Sequence, residues 1–87
     1  MGVERQVLST GIDSWEGTMT YRGITYMVEA MERTKKGNPG WEIEMLRQTG
    51  RMTVQPLSCT WHPSLDTALE ATEHAIRQLV DGDQHAQ

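Results

Sequence analysis

Eighty-seven residues with 37% hydrophobic content, no Phe and a mean hydropathy of −0.57 make one small domain, which buries only about 60–65% of its unfolded surface. A net charge of −4 and a pI near 5.2 argue against non-specific binding to nucleic acid, which rests on phosphate neutralisation by Lys and Arg. The single Cys, Cys59, excludes an internal disulfide framework, and no apolar run approaches the ~18 residues that would span a membrane.

The first segment, MGVERQVLST, has neither the basic start nor the long apolar run of a signal peptide. A cytoplasmic protein is the expectation. Residues 1–17 are expected as a flexible lead: Val7 and Leu8 are isolated among polar residues, and Gly11, Asp13, Ser14 and Gly17 favour loop. Within it, Trp15 can dock on the body, and a strand or helical turn around Val7 is the alternative. The folded domain is then residues 18–82, followed by a disordered tail, 83–87.

Thr18–Met31 has the pattern of a hairpin. Arg22-Gly23 separates two alternating, β-prone runs, and Gly23 can take the positive φ of a tight turn. In the second run Ile24, Tyr26, Val28 and Ala30 share one face and Thr25, Met27, Glu29 and Met31 the other; the uncharged set is the better core face. Glu32–Gly40 is a turn-rich connection ending in the breakers Gly37, Asn38, Pro39 and Gly40. Arg33, Lys35 and Lys36 make a local basic spot there, expected as a solvated loop.

Trp41–Gln48 alternates again. Trp41, Ile43 and Met45 point to the core; Glu42, Glu44 and Leu46 point away. Thr49-Gly50 turns the chain into a fourth strand, Arg51–Leu57, with Met52 and Val54 inward and Pro56 at a strand end or edge. Ser58–Pro63 crosses over, with Trp61 wedged under the element that follows.

That element is the most strongly marked in the chain: Ser64–Asp81, an amphipathic helix. At ~100° per residue, Leu65, Ala68, Leu69, Thr72, Ile76, Leu79 and Val80 fall within roughly 120° of arc, with Ala75 at the edge. Asp66, Glu70, Glu73, His74, Arg77, Gln78 and Asp81 fall outside it. Ser64 is a good N-cap, Asp66 suits the positive end of the helix dipole, and Glu73–Arg77 has the favourable i,i+4 order. Gly82 is a natural C′ stop.

The expected fold is α+β: an antiparallel three- to four-stranded meander with the C-terminal helix packed on one face (β-β-β-β-α). The sheet side of the core is Met19, Tyr21, Tyr26, Val28, Trp41, Ile43, Met52 and Val54.

Chemistry-bearing residues do not assemble into a site. Cys59 and His62 form C-x-x-H, but His74 lies opposite the apolar stripe and no second Cys or paired His completes a tetrahedral metal site. Cys59 is better placed as a small buried hydrophobe. Glu42 and Glu44, with Glu29 on the neighbouring strand, are paired carboxylates on the solvent face. Gly37-Asn38-Pro39-Gly40 has no Lys and Ser/Thr opening a helix, as a phosphate loop would. Tyr21, Tyr26 and Trp41 can stack bases on an open sheet, yet the same alternation makes them core, and no basic flanks accompany them. No catalytic, cofactor-binding or metal-ligating residue is therefore assigned.

In the helix, Ser64, Leu65, Ala68, Leu69, Ala75 and Ile76 give it a pattern that resembles the sheet-covering helix of HicB-like antitoxins. That resemblance implies strands followed by a helix, and a role in masking a basic RNA-cleaving partner, to which an acidic chain is electrostatically suited. The segment before the helix, QPLSCTWHP, departs from that family's pattern, and no DNA-binding element follows. Tyr21-Arg22-Gly23, Gly40-Trp41 and the closing helix, over about residues 18–82, look more like small uncharacterised proteobacterial single-domain proteins, a resemblance that implies no activity. The expected function is a non-enzymatic domain acting through contacts with a protein partner or with itself. A homodimer is one way for so small a core to bury more surface, and part of the sheet face bearing Met27, Met31 and Leu46 is a place for it.

Overall fold

The computed structural model describes residues 2–50 and 61–85, with side chains to 82. The expected strand Arg51–Leu57, its inward Met52 and Val54, and Cys59 lie outside the described residues. Among the described residues five strands and one helix follow in order: β1 (Glu4–Thr10), β2 (Ser14–Tyr21), β3 (Ile24–Lys35), β4 (Asn38–Gln48), β5 (Trp61–His62) and α1 (Leu65–His85). The sheet is an antiparallel meander, each strand beside its sequence neighbours. The helix lies on one of its faces. The α+β class and the strand-then-helix order stand as expected.

The N-terminal residues depart from the expectation. The flexible lead is instead β1 and the first half of β2, and Trp15 is a core residue, 4% exposed. The alternation of Trp15, Met19 and Tyr21 continues through Gly17, whose missing side chain breaks the apolar pattern in the sequence. A Cβ on Gly17 would stand 2.4 Å from the Gln6 carbonyl oxygen and 2.6 Å from the Trp15 ring. The glycine is what lets the indole lie across the strand. Opposite it β1 carries a bulge at Leu8, between the pairs Val7–Gly17 and Ser9–Glu16.

Two tight hairpins set the register. Arg22-Gly23 and Lys36-Gly37 both have positive φ at each central residue (53° and 79°, 52° and 81°), the signature of two-residue turns whose twist matches that of the strands. The second turn replaces the long connection expected over Glu32–Gly40. β3 and β4 run on as a two-stranded arm, which helps give the molecule a long dimension of 45 Å. Pro39 is tolerated there because it sits opposite Thr34, one step past the closing pair Lys35–Asn38, where a residue's amide points away from its hairpin partner.

In β4 the strict alternation fails. Met45 pairs with Glu29 but Ile43 pairs with Ala30, so one extra residue, Glu44, bulges between them. The bulge shifts the phase of the strand. Ile43 stays inward, and Leu46 rather than Met45 becomes fully buried, opposite Val28. Trp41 is only partly buried against the core rather than part of it.

The core joins Trp15, Met19 and Tyr21 of β2, Tyr26, Val28 and Ala30 of β3, and Ile43 and Leu46 of β4 to the helix stripe. Ala68, Leu69, Thr72, Ile76 and Val80 are buried as the spacing requires, with Leu65 and Leu79 at the margin. Thr72 satisfies its hydroxyl by donating to the Ala68 carbonyl, 2.8 Å away. At the start of the helix, the Ser64 hydroxyl accepts the Thr67 amide at 3.2 Å. At its end the chain does not stop at Gly82 but runs helically to His85, the third residue of the expected tail.

Polar clasps tie the helix to the sheet. Tyr21 donates its hydroxyl to Asp81 at 3.1 Å, and Arg22 lies over the Tyr21 ring while pairing with the same carboxylate at 3.3 Å. Glu73, expected to pair along the helix with Arg77, is taken by Arg5 of β1 at 2.8 Å.

Leu69→Asp puts an uncompensated charge between sheet and helix and is expected to cost at least about 3–5 kcal/mol, enough to abolish a cooperative thermal transition. His74→Ala, on the exposed side of the same helix, is expected to move stability by under about 0.5 kcal/mol. Circular-dichroism melts of the two variants check which side of the helix faces the sheet.

Candidate interaction face

With the helix on one side, the other face of the sheet has no element over it among the described residues. Pairing assigns its side chains, because partners in a ladder share a face. One row is Ser14, Met31, Glu42 and Trp61; the next is Ser9, Glu16, Glu29 and Met45; the third is Gln6, Thr18, Met27 and Arg47. Most of these side chains are half-buried by their neighbours, while Met31 is 37% exposed. Towards the arm the same face of β3 continues through Arg33 and Lys35.

Glu16 and Glu29 are direct cross-strand partners. The two-residue hairpin makes Tyr21–Ile24 a hydrogen-bonded pair, so every second pair, Glu16–Glu29 included, is of the non-hydrogen-bonded kind with side chains closest together. The same geometry brings the Thr20 and Thr25 hydroxyls to 2.8 Å. Like charges facing each other in this way are unfavourable. A shallow hollow of about 180 Å³ opens beside them, lined by Ser9, Ser14, Glu16, Glu29 and Met31 with the backbone beneath.

Trp61 is not wedged under the helix. Its strand pairs with Glu42, and its ring covers Gly40, where a Cβ would come within 2.4 Å of the indole. From there Nε1 donates across β4 to the Arg33 carbonyl at 2.9 Å, and Lys35 stands 5.9 Å above the ring. Arg33 reaches Glu44 at 3.3 Å, with half of its side chain still exposed. The basic spot expected as a solvated loop is therefore the open side of a β arm, braced by an indole.

Of the residues singled out from sequence, Glu29, Glu42, Met27 and Met31 do share this face, and Glu44 sits at the bulge beside it. Leu46, expected here, is under the helix. Tyr21 and Tyr26 are 5% and 3% exposed beneath the helix, the core placement the alternation implied. His62 lies in β5 and His74 on the outer side of α1, on separate elements. Among the described residues no three His, Cys, Asp or Glu side chains stand close enough to hold a metal ion together, and no helix is long and apolar enough to cross a membrane. Three residues of the face escaped sequence reasoning. Met45, expected inward, is turned onto this face by the bulge at Glu44. Glu16 was hidden by the glycine beside it, and the position of Trp61 depends on a two-residue strand that no periodicity marks.

Comparison with the models of known protein families, with curated proteins and with solved structures gives no match.

Gly40→Ala is expected to push the Trp61 ring off β4, costing about 1–3 kcal/mol and breaking the bond to the Arg33 carbonyl. Loss of the Trp61 indole N–H resonance from its hydrogen-bonded position in an NMR spectrum, with the core indole of Trp15 unmoved, checks it.

Proposed function

We propose that this is a non-catalytic domain that works through protein contacts, and that the contacts are made on the uncovered face of its sheet. The observation that carries this is the composition of that face. Met27, Met31, Met45 and Trp61 are adaptable or large apolar groups of the types enriched at protein interfaces. The three methionines adjoin Glu29, whose cross-strand partner is Glu16, a like-charge pair that gains from a cation brought by a partner.

The same pair supports a narrower version of the reading, in which the partner presents a basic surface. Masking of a basic RNA-cleaving protein, the role implied by the resemblance to HicB-like antitoxins, is one such case.

Site-specific photo-crosslinking tests the face. A photoreactive residue at Met31 is expected to give discrete protein adducts in cells that express the protein, while the same residue at Glu70, on the exposed side of α1, gives none. Equal labelling from both positions, or none from Met31, would overturn the assignment.

A further inference from the structure

We infer that the open face is the contact surface of a symmetric homodimer whose two-fold axis passes beside Met31. This rests on the open face being a contact surface and names what covers it. The order of charges along β3 points to it. On that face the strand presents Met27, Glu29, Met31, Arg33 and Lys35 in turn. Glu29 stands two residues before Met31 and Arg33 two residues after it, each about 7 Å along the strand from it.

Consider two copies packed with their open faces together, related by a two-fold axis that crosses β3 at Met31. Such an interface is self-complementary: each residue meets the one at equal distance beyond the axis. Glu29 of one copy meets Arg33 of the other, twice over. Met27 meets the stem of Lys35, and the two Met31 side chains meet each other. A two-fold axis running along the strand would instead set Glu29 against Glu29 and Arg33 against Arg33. The charge order thus selects one orientation.

Three further features fit this arrangement. Glu16 adjoins Glu29, so the incoming guanidinium meets two carboxylates and relieves a repulsion that each copy holds alone. The hollow of about 180 Å³ beside them is open to receive it. Arg33 has a half-exposed side chain and makes one ion pair at 3.3 Å with Glu44, leaving donors of its five-donor fork for a second carboxylate. The axis also brings the two Glu42 side chains near each other, one unfavourable pair against two favourable ones.

Sedimentation across a wide concentration series tests the inference on the full chain, with circular dichroism as a control for folding. The wild type is expected to form a dimer of twice 9.9 kDa. Glu29→Arg and Arg33→Glu each place like charges across the axis and should weaken it by about tenfold or more. The double variant Glu29→Arg/Arg33→Glu reverses both members of the pair and should return to within about threefold of the wild type. Met31→Asp, which sets two carboxylates on the axis, should leave a folded monomer. A chain that stays monomeric throughout would overturn the homodimer while leaving crosslinking from Met31 to another protein intact. A dimer indifferent to all four variants would overturn the homodimer on this face, and crosslinks from Met31 would then have to lead to a different protein.

Discussion

One helix has to cover five strands. A 21-residue helix is about 31 Å long and about 10 Å wide with its side chains, whereas five strands spaced ~4.8 Å apart make a sheet roughly 19 Å across. The apolar stripe therefore reaches only part of one face. It covers β2, β3 and the near half of β4, where Met19, Val28, Leu46, Ile76 and Val80 are all but inaccessible. β1 is left exposed along its whole length, held to the helix by Arg5 and Glu73. The outer ends of β3 and β4 extend beyond the helix, and Trp61 is what packs on them.

The same limit explains where polar interactions are placed. The Tyr21–Asp81–Arg22 cluster and the Arg5–Glu73 pair lie at the margins of the covered area, where apolar contact gives out. Each joins the helix to a different part of the sheet. Exposed ion pairs contribute little individually, but at these positions they fix the rotation and the ends of a helix whose stripe by itself specifies only a direction. Among the described residues the opposite face has no such closure. Its methionines are neither buried nor fully solvated, and of its charges along β3 Arg33 reaches across the ladder to Glu44 while Glu29 faces the like charge of Glu16.

How far the fold was legible in the sequence depended on whether each element carried a complete local signal. α1 carried three: an N-cap at Ser64, a continuous stripe and a polar outer side. All were realised, and only its end was misplaced, because Gly82 continues the helix where open space surrounds it. The hairpin at Arg22-Gly23 was equally plain. β1 was not, because a wholly exposed strand has no buried face to impose alternation. The phase shift in β4 was invisible for a different reason. A bulge is a relation between two strands, and WEIEM alternates perfectly when considered alone. The open face inherited both failures: Glu16 lay in a segment expected to be unstructured, Leu46 was placed on the wrong side, and Trp61 was sent to the helix.

The strand order β1-β2-β3-β4-β5 also bears on how the chain reaches this state. Among the described strands each pairs with its neighbour in sequence, and β2–β3 and β3–β4 close through two-residue loops, whereas β5 reaches β4 through the pair Trp41–His62, much further apart along the chain. Closing such a loop demands little chain entropy, and hairpins form in about 1–10 μs. Sheets are ordinarily slow to assemble because their contacts are far apart along the chain; this one can grow outward from β3, with the docking of α1 as its longest-range event. The topology thus leaves burial of the helix stripe as the step that brings the most distant parts of the chain together.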